Sequence, residues 1–72
     1  MIIREKIYVY IEDHPGRSAF EIAVGIDELV QSVASLLAKE AKEGRLVRKR
    51  DAEHHGPKGG NVYYLPTQET NG

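Results

Sequence analysis

Five cations crowd the stretch after Gly44: Arg45, Arg48, Lys49 and Arg50 in one short run, then Lys58. Side chains of this kind, at this density, suit phosphate oxygens. Arg grips them with a two-pronged fork, and Lys meets them as a point charge. A second set, Gln31, Ser32, Ser35 and Lys39, is mainly polar and would form the water-facing side of an amphipathic helix. The cationic set would position the chain on a nucleic-acid backbone.

Other chemistries find little support. Asp51, Glu53, His54 and His55 carry metal-ligand atoms. Adjacent histidines in a glycine-rich stretch cannot both aim at one ion without a fixed partner, so no metal site is expected. Below about pH 6.5 these histidines would instead add positive charge. Ser18, Ser32 and Ser35 have no base and orienting group beside them, and no phosphate-cradling or dinucleotide glycine pattern occurs. Neither an enzyme nor a cofactor is expected. The absence of cysteine rules out a disulfide frame and a thiolate zinc site.

The elements that must carry the two sets are legible in turn. Ile3, Ile7 and Ile11 are spaced by four with Tyr10 beside them, which predicts a helix over residues 1–13. A strand over residues 7–11, a β-branched and aromatic run, is the alternative. His14-Pro15-Gly16 stops that element. Ser18 and Glu21 make a capping box at the start of a second, short helix. Phe20, Ala23 and Val24, with Ile22 and Ile26, give it an apolar girth, and Gly25 is expected to end it. Asp27 is expected to cap a third helix, where Asp27 and Glu28 meet its positive end. Val30, Val33, Leu37 and Ala41 line that helix, Leu29 and Leu36 widen the stripe, and Gly44 stops it. Residues 45–50 and 61–65 read as two strands of a hairpin, joined by a long polar loop. Residues 67–72 read as a disordered polar tail, leaving one domain over residues 1–66.

The net charge of −1 hides an asymmetry. Acidic residues outnumber basic ones up to Gly44, and the cations dominate after it. Local charge, not the average, decides what a surface binds. No apolar run reaches membrane-spanning length and residues 1–4 are too short for a signal peptide, so the chain is expected to be cytoplasmic.

Glu21-Ile22-Ala23, then Ile26, Val33 and Leu37, then Gly44-Arg45-Leu46-Val47, then Tyr63-Tyr64-Leu65 follow one another in an order that resembles the winged helix-turn-helix superfamily. In size the chain is similar to small phage, fimbrial or MarR-like bacterial regulators. The resemblance covers about residues 3–65 and implies an α+β fold of three helices followed by a β-hairpin wing. It implies a DNA-binding transcription regulator, with the third helix in the major groove and the wing on the backbone. Val30, Gln31, Ala34 and Ser35 match the family's base-facing positions, with Ser32 and Lys39 at the margins. Two departures stand out. The family usually has Leu four residues before the glycine, where this chain has Glu40; Ala41 is expected to fill the gap with Glu40 turned outward. No Arg occupies the base-facing positions, and no aromatic of the kind used by Z-form readers is present. The partner expected is double-stranded DNA, bound by a monomer or homodimer. The alternative is a protein partner, met by an interaction module on the same scaffold.

Overall fold

Four-residue spacing of Ile3, Ile7 and Ile11 becomes the inner stripe of helix α1 (Ile3–Asp13), where Ile7 and Ile11 are buried and Ile3 partly so. The computed structural model describes residues 2–51 and 60–68. The run over residues 7–11 is helical, not extended. A strand would put Val9 on the same side as Ile7 and Ile11, whereas Val9 is 50% exposed.

Helix α2 (Ala19–Ile26) begins at the expected capping box. The Glu21 amide donates to Ser18 Oγ at 3.2 Å, and the Ser18 amide donates to Glu21 Oε1 at 3.0 Å. Its inward residues are Ala19, Ile22 and Ala23. Phe20 and Val24, expected in the apolar girth, are 47% and 63% exposed. An eight-residue helix that is apolar all round has no polar side to declare its outer face, and its packing against α1 and α3 decides. Gly25 does not end α2 but sits inside it, where α1 comes close. A Cβ there would fall within 3.0 Å of the Tyr10 side chain at Cε1, Cζ and Oη.

Asp27 does not cap the following helix. It adopts the left-handed conformation (φ 59°, ψ 50°) and closes α2, its amide donating to the Val24 carbonyl at 3.2 Å. Aspartate tolerates that conformation better than most non-glycine residues. Helix α3 (Val30–Lys42) therefore starts three residues later, with Leu29 at the cap position and no side-chain cap. Leu29 is 74% exposed and does not widen the inner stripe. Val33 and Leu37 are buried as expected, with Val30, Leu36 and Ala41 packed partly against them.

Strands β1 (Val47–Arg50) and β2 (Asn61–Tyr64) form an antiparallel pair in the register Val47 with Tyr64 through Arg50 with Asn61. On its other side β2 meets the chain between α1 and α2. Gly16 donates to the Tyr63 carbonyl at 3.0 Å, and Tyr63 donates to the Arg17 carbonyl at 3.1 Å. Tyr63 and Leu46 complete the core of Ile7, Ile11, Ile22, Ala23, Val33 and Leu37. Three helices followed by this hairpin make an α+β layout consistent with a winged helix.

The expected polar tail starts too early. Pro66–Gln68 form a turn of 3-10 helix, and Gln68 ties it down. Its Nε2 donates to the Ile11 and Glu12 carbonyls at 2.9 and 3.3 Å, and its Oε1 accepts from the Leu65 amide at 2.9 Å. Gln68 thus serves carbonyls that the last turn of α1 leaves unpaired. Residues 69–72 lie outside the described residues. Among the described residues, no helix is long and apolar enough to cross a membrane.

Candidate nucleic-acid interface

The outer face of α3 is set by its buried one. With Val33 and Leu37 inward, the helical period leaves Gln31, Ser32, Ser35 and Lys39 exposed. Val30 and Ala34, the other two base-facing positions of the family pattern, are partly buried against the core. Glu28, just ahead of the helix, is drawn back to α1 by Lys6, whose Nζ lies 2.7 Å from its Oε2. No acidic residue occupies the first turn of α3, and Lys39 and Lys42 occupy the last.

Arg48, Lys49 and Arg50 are all exposed on β1. The pleat sends Arg48 and Arg50 to one side and Lys49 to the other. Lys49 lies over the Tyr64 ring, its Nζ 5.8 Å from the centroid, which gives that cation an aromatic support. Lys58, Glu53, His54 and His55 lie outside the described residues. Among the described residues, no three His, Cys, Asp or Glu side chains gather as a metal site would require.

What joins the helix to the hairpin is a turn built around Glu40. Gly44 takes φ +83°. The Gly44 amide donates to the Ala41 carbonyl at 3.1 Å, and the Arg45 amide to the Glu40 carbonyl at 2.9 Å. These two bonds make a Schellman ending, in which an apolar contact usually links the third residue from the helix end to the second residue beyond it. Here the two positions are Glu40 and Arg45, and the link is ionic. Arg45 Nε donates to Glu40 Oε1 at 2.7 Å and its Nη2 to Oε2 at 3.2 Å. The same guanidinium bonds Glu43, Tyr8 donates its hydroxyl to Glu40, and Arg4 stands 3.9 Å from Glu40 Oε2.

Glu40 is only 1% exposed, so the expected outward turn, with Ala41 filling the gap, is reversed. A buried carboxylate needs partners for its lone pairs, and Tyr8, 32 positions away, supplies one that no local pattern announces. The local signal that could have found it is Glu at the third position from the helix end, with Arg just after the glycine. The hydrogen bonds from Arg45 hold the Glu40 carboxyl down to about 2, aided by Tyr8 and opposed by burial. Burial first, and then the bond to Glu40, pushes the Tyr8 hydroxyl up to about 12. Glu40 in turn raises the pKa of Arg45. Arg45 is thereby committed to the joint, whereas Arg48 and Arg50 extend beyond it on the strand.

No family model, curated protein or solved structure matches this chain. The reading of function therefore stands on the surface itself: a helix face of hydrogen-bonding side chains without Arg, next in the chain to a strand of cations.

Proposed function

We propose that the chain is a DNA-binding module of a cytoplasmic transcription regulator, built as a winged helix-turn-helix. In this reading α3 enters the major groove, where Gln31 and Ser35 meet base edges with Ser32 and Lys39 at the margins. Arg48, Lys49 and Arg50 contact backbone phosphates from the wing, with Lys58 as a further cation. The observation that carries the reading is the joint exposure of Gln31, Ser35 and Lys39 on α3 and of the three cations on β1. The Glu40–Arg45 turn fixes the second element as the chain leaves the first. Without Arg on α3, base discrimination is modest and affinity comes mainly from phosphates.

A duplex titration at several salt concentrations tests this. Each neutralised phosphate contributes a slope of about −0.9 in log affinity against log salt, so three contacts give near −3. Replacing Lys49 and Arg50 by Ala is expected to bring the slope to about −1 and to weaken binding to every sequence alike. Equal slopes for parent and variant would overturn the reading. The exposed Val9, Phe20 and Val24 favour a second one, a protein-interaction module on the same scaffold, which predicts no duplex binding even at low salt.

A further inference from the structure

Helix caps are normally small polar side chains, because such a side chain can accept a hydrogen bond from the first unpaired amides. The cap of α3 is Leu29, which makes no side-chain cap bond. It is also 74% exposed, more than any other large apolar side chain among the described residues. This leucine therefore forgoes both the cap bond and burial, at the head of the helix whose outer face carries Gln31, Ser32 and Ser35. Its backbone is fixed: the Val33 amide donates to the Leu29 carbonyl at 3.0 Å. Leu29 and Ser32 are three positions apart, so the leucine prolongs the polar face at its N-terminal edge. Glu28, the acid beside it, is paired with Lys6 of α1, Nζ to Oε2 at 2.7 Å.

We infer that the head of α3 reads A·T pairs, Leu29 packing on the C5-methyl of thymine while Gln31 bonds adenine. The inference rests on the DNA-binding reading above and names the base pairs that the module prefers. Among the groups that distinguish base pairs in the major groove, the thymine methyl is the apolar one. The others are donors and acceptors, and a leucine set against them would remove their water without replacing its hydrogen bonds. Gln suits the other half of the same pair, accepting from adenine N6 and donating to N7. A helix that enters the groove by its N-terminal end leads with these two residues. 5-Methylcytosine carries the same methyl, but its partner is guanine, whose two acceptors do not match the donor and acceptor of Gln31.

Alternating duplexes present one step in every register, so they test the inference without a known target. The probes are poly(dA-dT), poly(dA-dU) and poly(dG-5-methyl-dC), titrated by fluorescence anisotropy at one low salt concentration without divalent ions. Phosphate contacts then contribute alike to all three. The parent is expected to prefer poly(dA-dT) to poly(dA-dU) about fourfold, the effect of burying one methyl group. Its preference over poly(dG-5-methyl-dC) should be about fivefold or more, for the loss of the adenine bonds. Leu29→Ala should bind the thymine and uracil duplexes alike, and Gln31→Ala should lose the preference over the methylated G·C duplex. Both side chains are exposed, and circular dichroism checks that each variant remains folded. A parent that binds the thymine and uracil duplexes equally, or a Leu29→Ala variant that keeps the parent's ratio, overturns the inference while DNA binding stands. Equal affinity of the parent for poly(dA-dT) and poly(dG-5-methyl-dC) overturns the assignment to A·T pairs. Failure to bind any of the three duplexes overturns the DNA-binding reading itself, and the inference with it.

Discussion

Arg45 bends back over the last turn of α3 and binds both carboxylate oxygens of Glu40, five residues earlier in the chain. The bond replaces the apolar contact that usually closes a Schellman ending, and Tyr8 ties it to α1. One carboxylate therefore joins three parts of the molecule: the first helix, the end of the third, and the entry to the hairpin.

Removing the carboxylate should be costly. Glu40→Ala leaves the Tyr8 hydroxyl and Arg45 without their acceptor, and breaking a buried pair typically costs 3–5 kcal/mol. Because the Arg45 side chain is 48% exposed, water can receive it, and about 3 kcal/mol is expected. In a domain this small that is a fall in Tm of roughly 10–20 °C by thermal melting. Combining Glu40→Leu with Tyr8→Phe removes the demand for an acceptor as well as the acceptor. That double variant should return to within about 1 kcal/mol of the parent.

The same cluster sets both ends of the pH range of stability. Glu40 is held near 2 against an ordinary 4.5, so its contribution is complete above 4.5 and disappears as pH falls towards 2. Its size is on the order of 2–3 kcal/mol. Tyr8 is raised from 10 to about 12, so its contribution is complete below 10 and is lost as pH rises towards 12. Urea unfolding across pH should show both losses in the parent. Tyr8→Phe should lack the alkaline loss, and the Glu40→Leu, Tyr8→Phe pair should lose less stability than the parent between pH 4.5 and 2.

These effects also mark what could be read from residue order alone. The stripe of Ile3, Ile7 and Ile11, the Ser18–Glu21 capping box and the second strand are local patterns that formed where their period or cap placed them, whereas the first strand starts two residues late, because the Arg45 and Leu46 amides turn back to the Glu40 carbonyl. The inner face of α2 was not legible, because a helix apolar all round has no preferred side until α1 and α3 pack on it. Asp27 is a good N-cap by type, but its left-handed backbone closes the helix before it instead. Glu40 was misplaced because its acceptor atoms are satisfied by a tyrosine far away in sequence. On the candidate interface, the exposure of Gln31 and Ser35 followed from the α3 period, whereas the structural commitment of Arg45 depended on where Glu40 points.

The cations should accordingly divide into two groups. Arg45→Ala is expected to lower Tm, since it removes the partner of a buried carboxylate. Arg48→Ala and Arg50→Ala touch exposed side chains and should stay within about 0.5 kcal/mol of the parent. In the salt titration the proposed DNA-binding reading reverses the order: Arg48→Ala and Arg50→Ala are each expected to reduce the slope by about 0.9. Melting and titration on one set of variants read both quantities.

Gln68 offers a test at the far end of the chain. Its side chain makes three hydrogen bonds, two of them to carbonyls at the end of α1. Gln68→Ala should cost about 1–2 kcal/mol, and hydrogen exchange should speed up at the Leu65 amide, which loses its acceptor.

The small sheet has a last consequence. One edge of β2 is taken by β1 and the other by the Gly16–Arg17 segment; among the described residues no further strand lies beside β1, which forms the sheet's outer edge, and its three exposed residues are all cations. An unpaired edge invites strand addition from other chains, and charge is a common defence against that kind of aggregation. For solubility, glutamate would protect this edge as well as lysine or arginine does. Only a polyanionic partner distinguishes between them. A variant with Glu at positions 48, 49 and 50 is therefore expected to keep the edge guarded while abolishing any attraction to phosphate, separating edge protection from the proposed DNA contact.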